Sequence, residues 1–561
     1  MDKNKILSDL IFPEVVNTVN DLEIKYPKRQ LNDGACVTRF APSPTGFLHT
    51  GALFTSLVNK KIAQQTNGIF YIRIEDTDRK REVDGSVKLS CEELKRFGLS
   101  PDEGVISDKE EIGNYGPYIQ SKREEIYKIC AKELIQKGLA YPCFCTTEML
   151  AATHEAQEKS KVIPGYYSVY AKCRNISIDE SIKRVKDGEK YILRFRSNGS
   201  HMKKISFKDA IRGKIEIAQN DQDIVIIKAD GLPTYHFAHV VDDHFMRTTH
   251  VIRGEEWIPS TPIHIQLFEA MNFDMPMYVH VPLILVKEGN SKRKLSKRKD
   301  KEAAVSYFLK AGYKIEAIMD YLLTLANSDF EMWRSKNKNV DSSEFIFRFN
   351  KMSSAGSLLD IQKLNDISKD ILATLSGQEI LDEVLTWSKK YNVDLYNLLN
   401  NDLKYALEIF SLERNNVVKV RKDIIKYEDI ISGFFYFFDE LFIKDILSNG
   451  FLFDGSFSKN IDKEIIKSAL NLYINKYDET LDKDEWFKQI KEYATDLNFC
   501  VDTKVYKTNP DKYTGGISDF ATIIRVALTN RVNTPDIYAI MKILGKDKVI
   551  DRIKQAIIYI S

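Results

Sequence analysis

Short apolar runs and helical repeats alternate near the start of the chain. The stretch CVTRF, residues 36–40, is apolar enough for a buried strand, and LHTGALFTSLVNKKIAQQ, residues 48–65, repeats apolar residues with a helical period. We expect Gly68 to end that helix before a second strand at IFYIRI, residues 69–74. Strand, glycine-containing turn, helix and strand form a βαβ unit, which predicts a parallel sheet.

The pattern changes twice further along the chain. Residues 141–222 are polar, contain a Cys-x-Cys sequence and short alternating stretches such as KYILRFR, and are interpreted as an insertion. Buried-strand patterns return at DIVIIK, residues 223–228, and at HVPLIL, residues 280–285, so the insertion is expected to split the sheet domain. Beyond about residue 330 the sequence is rich in Lys, Asn and Asp and has helical periodicity.

One helix near the end of the chain has recognisable termini. Thr534 is expected to cap a helix that starts at Pro535 and stops at Gly545. The positions expected to be buried are Ile537, Ile540, Met541 and Leu544. This region therefore adds to the helical character of the second half.

Composition excludes several classes of protein. The chain has 561 residues, too many for one core, so several domains are expected. Lys plus Arg (82) nearly cancel Asp plus Glu (80), so any basic surface for nucleic acid must be local. Seven cysteines without regular spacing are typical of a reducing compartment, with thiols or a metal site. Because MDKNKILSDLIF lacks the core of a secretory signal and no run has the length of a membrane span, we expect a cytoplasmic protein.

The stretch RFAPSPTGFLHTGAL, residues 39–53, combines turn residues with candidate chemistry. It follows a predicted strand and opens a predicted helix, whose free N–H groups and positive dipole end favour phosphate. His49 can donate a hydrogen bond to a developing phosphate charge, and Gly51 lets a phosphate or an adenine ring approach the backbone. A structural turn with a surface histidine is the alternative interpretation.

A second candidate segment is strongly basic. Lys294-Leu295-Ser296-Lys297-Arg298 lies in a predicted loop that is rich in Lys and Arg. Mobile lysines can stabilise the charge of a triphosphate in the transition state, although a solvated loop or a nucleic-acid patch has the same composition. Both segments together, around a split parallel sheet, predict that the turn with His49 and the loop near Lys294 close over one nucleotide.

These segments resemble those of a known family. HTGA is similar to the HIGH-type motif and KLSKR to the KMSKS-type motif of class I aminoacyl-tRNA synthetases. Together with IRIEDTDR, LPTYHFAHVVDDH and VIRGEEW, in this order, they resemble the bacterial glutamyl-tRNA synthetases. FATIIRVALTNR and IMKILGKDKVIDRI resemble the helical anticodon-binding domain of that family. The resemblance covers the catalytic half densely and reaches the C-terminal end.

The resemblance implies a multidomain α/β fold. It consists of a Rossmann-like parallel-sheet catalytic domain with an inserted acceptor-binding domain, followed by helical stem-contact and all-α anticodon-binding domains. The expected segments are an N-terminal helical extension (1–34), the first half of the catalytic domain (35–140), the inserted connective, acceptor-stem domain (141–222), the second catalytic half (223–286), the KMSKS loop with the stem-contact domain (287–375) and the anticodon-binding domain (376–561).

The resemblance also implies a reaction and its partners. The enzyme would be a ligase that activates L-glutamate with ATP and passes the glutamyl group to the 3′-terminal adenosine of tRNA(Glu). Mg²⁺ would accompany ATP, held mainly by phosphate oxygens. The basic segment from Lys287 to Lys301 would serve both ATP and tRNA, and we expect a monomer.

Glutamate has two carboxylates and one ammonium, so a selective site needs two cations and one anion. Arg39 and Arg253 can supply the cations, since arginine pairs with carboxylates through two hydrogen bonds, and Glu75 can supply the anion. A salt bridge at the sheet edge is the alternative for Arg39 and Glu75. A glutamine amide would leave Arg39 without a countercharge, which predicts strong rejection.

The family's site residues map onto this chain by motif. For glutamate the resemblance implies Arg39, Ala41, Ser43, Glu75, Tyr235, His239, Arg253 and Trp257. Arg39 and Tyr235 would face the side-chain carboxylate, Arg253 the α-carboxylate, and Glu75 with Ser43 the ammonium. For ATP it implies His49, Gly51, Glu256 and Lys297, and for catalysis His49, Lys294 and Lys297.

Two positions in the motifs differ from the family pattern. His239 stands where the family often has Asn, and it adds a titratable group to the glutamate pocket. Thr50 replaces the usual aliphatic residue, a mild change. The group His236, His239, Asp242, Asp243 and His244 also permits a metal site, although core packing and substrate contact are the favoured interpretation.

Three cysteines in the insertion form a candidate zinc site. Cys143, Cys145 and Cys173 match positions at which some family members bind zinc. The fourth ligand there is often His, whereas this chain has Asn175, so Tyr170 or water would have to complete the site. Free buried thiols are the alternative.

Three other functions were considered. Glutaminyl-tRNA synthetases resemble RFPPEPNG at the first motif and have a β-rich anticodon region, and the shorter paralogue that glutamylates a modified tRNA base lacks the long helical part. A catalytically silent RNA-binding paralogue is disfavoured by His49, Lys294 and Lys297. Whether glutamine tRNA is also charged depends on how the C-terminal helices read one anticodon base.

Overall fold

The computed structural model describes residues 2–78, 82–414 and 420–561. The chain forms two compact units, the first comprising residues 1–308 and 319–360 and the second comprising residues 309–318 and 361–561. Arg79, the last residue of the IRIEDTDR motif, lies outside the described residues. The expected finer domain boundaries, including the one at residue 375, stay predictions.

The first unit contains a mixed set of strands and helices. Its strands are β1 (Val37–Phe40), β2 (Ile69–Ile72), β3 (Glu103–Val105), β4 (Glu111–Ile112), β5 (Ala140–Cys143), β6 (Ile192–Phe195), β7 (Lys204–Asp209), β8 (Gly213–Ala218), β9 (Val225–Ile227), β10 (His250–Gly254), β11 (Met277–Val281), β12 (Ile284–Glu288), β13 (Ser291–Lys294) and β14 (Ser357–Leu358). The helices up to residue 336 are α1 (Lys3–Ile11), α2 (Val19–Lys25), α3 (Thr50–Gln65), α4 (Ser86–Arg96), α5 (Glu124–Gln136), α6 (Thr147–Lys159), α7 (Ile178–Lys186), α8 (Tyr235–Phe245), α9 (Thr261–Met271), α10 (Val305–Ala311), α11 (Ile315–Ala326) and α12 (Phe330–Lys336), of which α10 and α11 have residues in both units.

The predicted βαβ unit is confirmed. Strands β1 and β2 pair in parallel, with Val37 opposite Ile69, and α3 connects them. The helix ends at Gln65, and Gly68 lies in the turn beyond it. A Cβ atom at Gly68 would lie 2.0 Å from the Cys36 carbonyl oxygen, so glycine is required here because the two strands begin in close contact.

Two groups of parallel strands meet at β1 and β10. On one side β1, β2 and β3 are parallel, and on the other side β10 and β11 are parallel. The groups are joined at Thr249, whose backbone N–H donates to Val37 O at 3.0 Å and whose hydroxyl accepts from Val37 N at 2.8 Å. In open α/β sheets, ligands bind beyond the carboxyl ends of the strands where the strand order changes direction. A ligand-binding site is therefore expected at the carboxyl ends of β1 and β10.

Two strands have different neighbours from those expected. Strand β9, within DIVIIK, pairs antiparallel with β6, which in turn pairs with β5. It thus extends a small antiparallel sheet instead of the parallel one. Conversely β7, within the predicted insertion, pairs with β11, Asp209 lying opposite Tyr278. An apolar run predicts a buried strand but carries no information about which strand lies beside it.

The N-terminal segment forms the expected helices. Leu7 and Ile11 of α1 and Leu22 of α2 are buried in one apolar cluster with residues of α5 and α8. Arg29 pairs with both carboxylate oxygens of Glu103, at 2.8 and 2.9 Å. This segment is therefore packed against the sheet domain through both apolar and ionic contacts.

The second unit is almost entirely helical. From residue 361 its elements are α13 (Ile361–Leu372), α14 (Gly377–Tyr391), α15 (Val393–Asn400), α16 (Leu403–Ser411), α17 (Ile430–Phe434), α18 (Asp439–Asn449), α19 (Lys463–Asn475), α20 (Lys483–Asp496), β15 (Phe499–Cys500), α21 (Thr503–Thr508), β16 (Gly515–Gly516), α22 (Ile517–Thr529), α23 (Ile537–Leu544) and α24 (Lys546–Ile560). A large cluster of buried apolar and aromatic side chains fills its interior. Nowhere in residues 2–78, 82–414 and 420–561 is there a helix with the length and apolar character needed to cross a membrane.

The start of α23 was predicted two residues too early. Asp536, not Thr534, is the capping residue, and its carboxylate accepts from Ala539 N at 3.0 Å. The Thr534 hydroxyl donates to Pro535 O at 2.9 Å and lies two residues too far from the helix, which starts at Ile537, to act as its cap. The expected buried face and the stop at Gly545 are confirmed.

Candidate active site

Two adjoining cavities open where β1 and β10 end. The larger has a volume of about 1110 Å³ and the smaller one of about 310 Å³. Ala52 and Thr55 of α3 and Gly254 of β10 line both cavities. Two ligands bound side by side would therefore meet at these three residues.

The smaller cavity brings together the two segments that the sequence predicted to meet. His49 and Gly51 line it from the start of α3, Glu256 from the segment after β10, and Lys294 from the end of β13. His49 also forms an isolated antiparallel bridge with Ala304. The expected proximity of the His49 turn and the lysine segment is confirmed, whereas binding of a nucleotide there stays a prediction.

Thr50, the mild departure from the family pattern, helps to join these segments. Its hydroxyl donates to Glu302 O at 2.6 Å, and the residue is buried. Next to it, Val305 N donates to Leu48 O at 3.2 Å. An aliphatic side chain at position 50 could not make the hydroxyl contact, so Thr50 adds a polar link between the turn and the segment after β13.

His49 is held in one tautomer. It caps α3, and its Nδ1 accepts from Gly51 N at 2.9 Å. Burial, reinforced by the nearby charges of Lys297 and Lys294, lowers the pKa of His49 to about 4. A neutral imidazole that accepts at Nδ1 carries its proton at Nε2, so His49 is a hydrogen-bond donor at neutral pH. A Cβ atom at Gly51 would lie 3.2 Å from Nδ1, which explains why the smallest residue stands there.

The basic segment is a hairpin followed by a short loop. Strands β12 and β13 pair antiparallel, and Leu295 just beyond them is buried. Lys294 Nζ lies 2.9 Å from Glu256 Oε1, and Lys297 Nζ donates to Phe47 O at 3.0 Å. Lys294 thus lines the smaller cavity from the end of the hairpin, whereas Lys297 lies near the cavity without lining it.

The larger cavity contains most of the residues expected for glutamate. Those that line it are Arg39, Ala41, Ser43, Glu75, Tyr235, Arg253 and Trp257. The rings of Tyr235 and Trp257 lie with their centroids 4.4 Å apart. The structure therefore brings both predicted arginines, the predicted glutamate and an aromatic wall to one cavity, which Lys228, Asp78 and Asp230 also line. The individual roles of the predicted residues stay predictions.

Arg39 is paired before any substrate binds. Its Nε lies 3.2 and 3.3 Å from the two carboxylate oxygens of Asp243, and its Nη1 donates to Ile252 O at 3.4 Å. Burial disfavours the charge of Arg39 and is the largest single influence on it, but Asp243, together with smaller contributions from Tyr71 and Tyr235, leaves the pKa of Arg39 raised. Arg39 is therefore not a cation that only glutamate can neutralise, as its sequence context predicts, because Asp243 already pairs with it.

Arg73 connects the pocket carboxylate to the same network. Its Nη1 donates to Asp243 at 2.7 Å and its Nη2 donates to Glu75 at 3.0 Å. Burial raises the pKa of Glu75, against the attraction of Arg73 and Arg39. Asp242 completes the group through Arg123 Nε, at 2.6 Å.

The sequence did not single out Arg73 as a site residue, and for Asp242 and Asp243 it favoured core packing and substrate contact over a metal. All three side chains are buried. A signal was present, since Arg73 is the one charge within IFYIRI and the two aspartates lie inside the apolar helix α8. A charge in a buried run needs a partner, and the network supplies it. The carboxylates bind arginines, which explains them without a metal.

His239 is not positioned to touch a ligand. It is fully buried beneath Tyr235, with Nε2 3.1 Å from the Tyr278 hydroxyl and Nδ1 2.9 Å from Asp243 Oδ2. Burial lowers its pKa to about 3. Its predicted contact with substrate is therefore not supported by this placement, and its observed contact is with the carboxylate that also holds Arg39.

The three cysteines of the insertion do come together. The sulfur atoms of Cys143, Cys145 and Cys173 all lie within 4.8 Å of one another. Tyr166, instead of the expected Tyr170, adjoins the group, since its hydroxyl lies 3.3 Å from the sulfurs of both Cys143 and Cys145. The hydrogen bond between Cys143 and Cys173 lowers the pKa of Cys143 and raises that of Cys173, so one thiolate is favoured, and burial raises the pKa of the Tyr166 hydroxyl. The three sulfurs fit three positions of a tetrahedral zinc ion, whereas a protonated Tyr166 hydroxyl is a poor fourth ligand.

Comparisons with known proteins agree with this geometry. The family described as "tRNA synthetases class I (E and Q), catalytic domain" matches residues 35–366, and the family "Anticodon binding domain" matches residues 428–557. The chain belongs to the class I tRNA synthetases of the E and Q group. The resemblance seen in the motifs is thus confirmed, as are the α/β catalytic fold and the anticodon-binding part.

Individual relatives match this synthetase over nearly its full length. It is 45% identical over 549 residues to the glutamate–tRNA ligase of Clostridium perfringens (strain SM101 / Type A), with 98% of each chain covered. It is 43% identical over 557 residues to that of Acetivibrio thermocellus, covering 99% of this chain and 100% of the relative. The crystal structure of a glutamate tRNA ligase from Elizabethkingia meningosepticum CCUG26117 in complex with its amino acid is similar, with a TM-score of 0.71, 29% identity, and 93% and 99% of the chains covered.

Proposed function

We propose that this synthetase is a glutamate–tRNA ligase, which activates L-glutamate with ATP and transfers it to the 3′-terminal adenosine of tRNA(Glu). One observation carries the proposal: a cavity with two arginines and a carboxylate adjoins a cavity with His49 and Lys294. Glutamate in the first and the phosphates of ATP in the second would meet at Ala52, Thr55 and Gly254, which line both. The names of the relatives support the same substrate.

Activation needs no covalent bond to the protein. An oxygen of the glutamate α-carboxylate attacks the α-phosphorus of ATP, the bond from that phosphorus to the bridging oxygen breaks, and pyrophosphate leaves. His49 donates from Nε2 to a phosphate oxygen, while Lys294 and Lys297 stabilise the charge that develops on the leaving pyrophosphate. Mg²⁺ accompanies ATP and is held mainly by its phosphate oxygens. Positioning and charge stabilisation carry the step.

Transfer uses the same site. A hydroxyl of the terminal adenosine attacks the carbonyl carbon of glutamyl-adenylate, the bond to the phosphate oxygen breaks, and AMP leaves as the hydroxyl loses its proton. Residues 376–561, whose described part is helical apart from the short pair β15 and β16, are the part that we assign to the tRNA anticodon. We expect the enzyme to act as a cytoplasmic monomer.

Selection of glutamate depends on the two arginines of the larger cavity. Arg39, with Tyr235 beside it, faces the side-chain carboxylate, and Arg253 faces the α-carboxylate. Glu75 and Ser43 receive the ammonium. Because Asp243 already shares the charge of Arg39, rejection of glutamine rests on the geometry of the remaining N–H groups as well as on charge.

Zinc would be held by Cys143, Cys145 and Cys173, with water as the fourth ligand, and would take no part in the reaction. It would cross-link the strand end at Cys143 to the segment around Cys173 and so stabilise the insertion. Metal analysis of the purified protein is expected to find about one zinc per chain, and C173S to lose it. C500S is the matched control, since Cys500 is buried elsewhere and its Sγ–H group donates to Asp502 O, a contact that serine can keep.

Glutamate-dependent exchange of pyrophosphate into ATP, with tRNA present, tests the proposal. Exchange with glutamate but not with glutamine is the expected result. An absence of exchange, together with retained tRNA binding, would instead support a silent RNA-binding paralogue. Charging purified tRNA(Glu) and tRNA(Gln) in turn then shows whether one or both are substrates.

A further inference from the structure

The partners of Arg253 differ in kind from those of Arg39. Arg253 Nε donates to His280 Nε2 at 3.1 Å, its Nη1 lies 3.3 Å from His264 Nδ1, and its Nη2 donates to the Thr261 hydroxyl at 3.0 Å. All of these side chains are buried, and none of the three partners is a carboxylate. A buried arginine that uses neutral acceptors keeps its full charge for a ligand.

An arginine only donates hydrogen bonds, so each histidine must accept. His280 therefore carries its proton at Nδ1, which lies 2.8 Å from Asp209 Oδ2. The other Asp209 oxygen accepts from the backbone N–H groups of Ile211 and Arg212, each at 2.9 Å, and this fixes the carboxylate. Asp209 thus selects the tautomer of His280 that can accept from Arg253.

The second histidine is also fixed in one form. Since His264 Nδ1 accepts from Arg253, its proton is at Nε2, which lies 3.0 Å from His236 Nδ1. The Thr261 hydroxyl has its own acceptor, Trp257 O, at 3.3 Å, so it can accept from Arg253. Each partner of Arg253 therefore directs its own hydrogen towards another group, which leaves it free to accept the hydrogen bond from Arg253.

The count of donors matches a carboxylate. A guanidinium has five N–H groups. These contacts use one on Nε, one on Nη1 and one on Nη2, which leaves one N–H on each terminal nitrogen. Two N–H groups on adjacent nitrogens are what a bidentate carboxylate needs, and Arg253 lines the larger cavity.

We infer that His280, held in one tautomer by Asp209, is a positioning residue that keeps the Arg253 guanidinium aligned for the carboxylate of the amino-acid substrate. The inference rests on the proposed role of Arg253 in binding glutamate. His280 does not line the cavity and acts only through Arg253. Nothing in the sequence motifs marks it, and its anchor Asp209 comes from a strand within the predicted insertion.

Protonation of His280 would remove the acceptor and place a second cation beside Arg253. The groups that face His280 are Asp209 and Arg212 from the β7–β8 turn and Arg253 from β10, with the Tyr278 ring stacked against it. Burial is the largest influence and lowers the pKa of His280. His264, which faces His236, His239, Arg253 and Asp243, has its pKa lowered well below the usual value, so it protonates later as the pH falls. Glutamate binding should accordingly weaken at acid pH.

Three variants and one control test the inference through the KM for glutamate in pyrophosphate exchange. H280L removes the acceptor, H280Q keeps an amide oxygen that can accept from Arg253 but cannot titrate, and R253Q removes the arginine. The control is H250L, because His250 begins β10 at the opposite end from Arg253. Circular dichroism and the KM for ATP report on folding and on the other cavity.

We expect H280L to raise the KM for glutamate about 10-fold with little change in kcat or in the KM for ATP. H280Q should stay within about 3-fold of the wild type at neutral pH and should lose part of the rise in KM that the wild type shows as the pH falls towards about 5.5. H250L should leave the KM for glutamate unchanged. A purely structural role for His280 would alter stability without this difference in pH profile.

Several outcomes would overturn the inference. One is a folded H280L variant with the wild-type KM for glutamate. Another is an H280Q variant whose KM for glutamate rises at acid pH as much as that of the wild type. This second comparison remains decisive if H280L does not fold. An unchanged KM in R253Q would remove both Arg253 from the glutamate site and His280 from its support. The ligase proposal fails separately, only if the wild-type protein shows no glutamate-dependent exchange.

Discussion

The two arginines of the larger cavity are held in opposite ways. Arg39, at the end of β1, pairs with the Asp243 carboxylate in a buried network of arginines and acids. Arg253, in β10, is held by two histidines and a threonine, all neutral acceptors. The ion pair with Asp243 largely neutralises the charge of Arg39. The neutral partners of Arg253 orient its guanidinium group without neutralising its charge.

This difference assigns different tasks to two residues of the same type. In the network around Arg39, the cations Arg39, Arg73 and Arg123 face the anions Glu75, Asp242 and Asp243, so the charges balance before substrate arrives. The Arg253 side has no such balance among its direct partners. We therefore expect Arg253 to attract a carboxylate by charge, and Arg39 to discriminate by the fixed directions of its N–H groups.

Loss of Arg39 should have the largest effect. R39Q should lower kcat/KM for glutamate about 10³-fold, because it removes a pocket cation and leaves Asp243 with one partner fewer. The measurement is pyrophosphate exchange over a range of glutamate concentrations. R29Q is the matched control, since Arg29 is also buried and paired with a carboxylate but lies outside both cavities. Unchanged glutamate kinetics in R39Q would remove Arg39 from the pocket.

Loss of a lysine should separate binding from chemistry. K294A should slow exchange at saturating glutamate about 10²-fold, because it removes a cation from the smaller cavity while both arginines remain. The KM for glutamate should change little. K292A, which replaces an exposed lysine of the same strand, is the control and should behave like the wild type. An equal loss in both variants would mean that only the overall charge of the hairpin matters.

Acid should destabilise the protein through the histidines that are buried around the pocket. Burial lowers the pKa of His236 to about 4 and that of His239 to about 3, below the 6.5 of an unperturbed histidine. The unfolded chain then binds more protons, so the free energy of unfolding falls as the pH drops from about 6.5 towards 4. Thermal unfolding at about pH 7 and pH 5 measures this loss. H236Q should reduce it, whereas H154Q, which replaces an exposed histidine of α6, should not.

Acid should leave the carboxylate-held side almost unchanged, which is the smallest expected effect. Although burial opposes ionisation, Arg39 and Arg73 hold the pKa of Asp243 well below its ordinary 3.8, so it stays ionised at about pH 5. Arg39 keeps its partner, and the preference for glutamate over glutamine should be the same at about pH 5 and pH 8. The ratio of kcat/KM values for the two amino acids tests this. A clear loss of preference at acid pH would contradict the division between the two arginines.

Local patterns were sufficient where a short segment folds on itself. The βαβ unit, the strand at Val37–Phe40 and the buried face of α23 were all predicted, since apolar periodicity and turn residues act within a few positions. The predicted cap of α23 was wrong because Thr534 and Asp536 both suit that role and the helix starts two residues later than the pattern indicated. The expected neighbours of β9 and β7 were wrong, because an apolar strand has the same sequence pattern whichever strand it pairs with.

The sequence by itself determined the family, the order of the motifs and several of the side chains that line the two cavities. These features follow from residue types at fixed spacings, which are properties of the sequence and do not depend on which residues come into contact on folding. Only the tertiary structure decided how each arginine is held, because Asp243 lies 204 positions from Arg39 and His280 lies 27 from Arg253. The protonation of His280 and the contact of Tyr166 with the cysteine group likewise depend on groups that folding brings within hydrogen-bond distance.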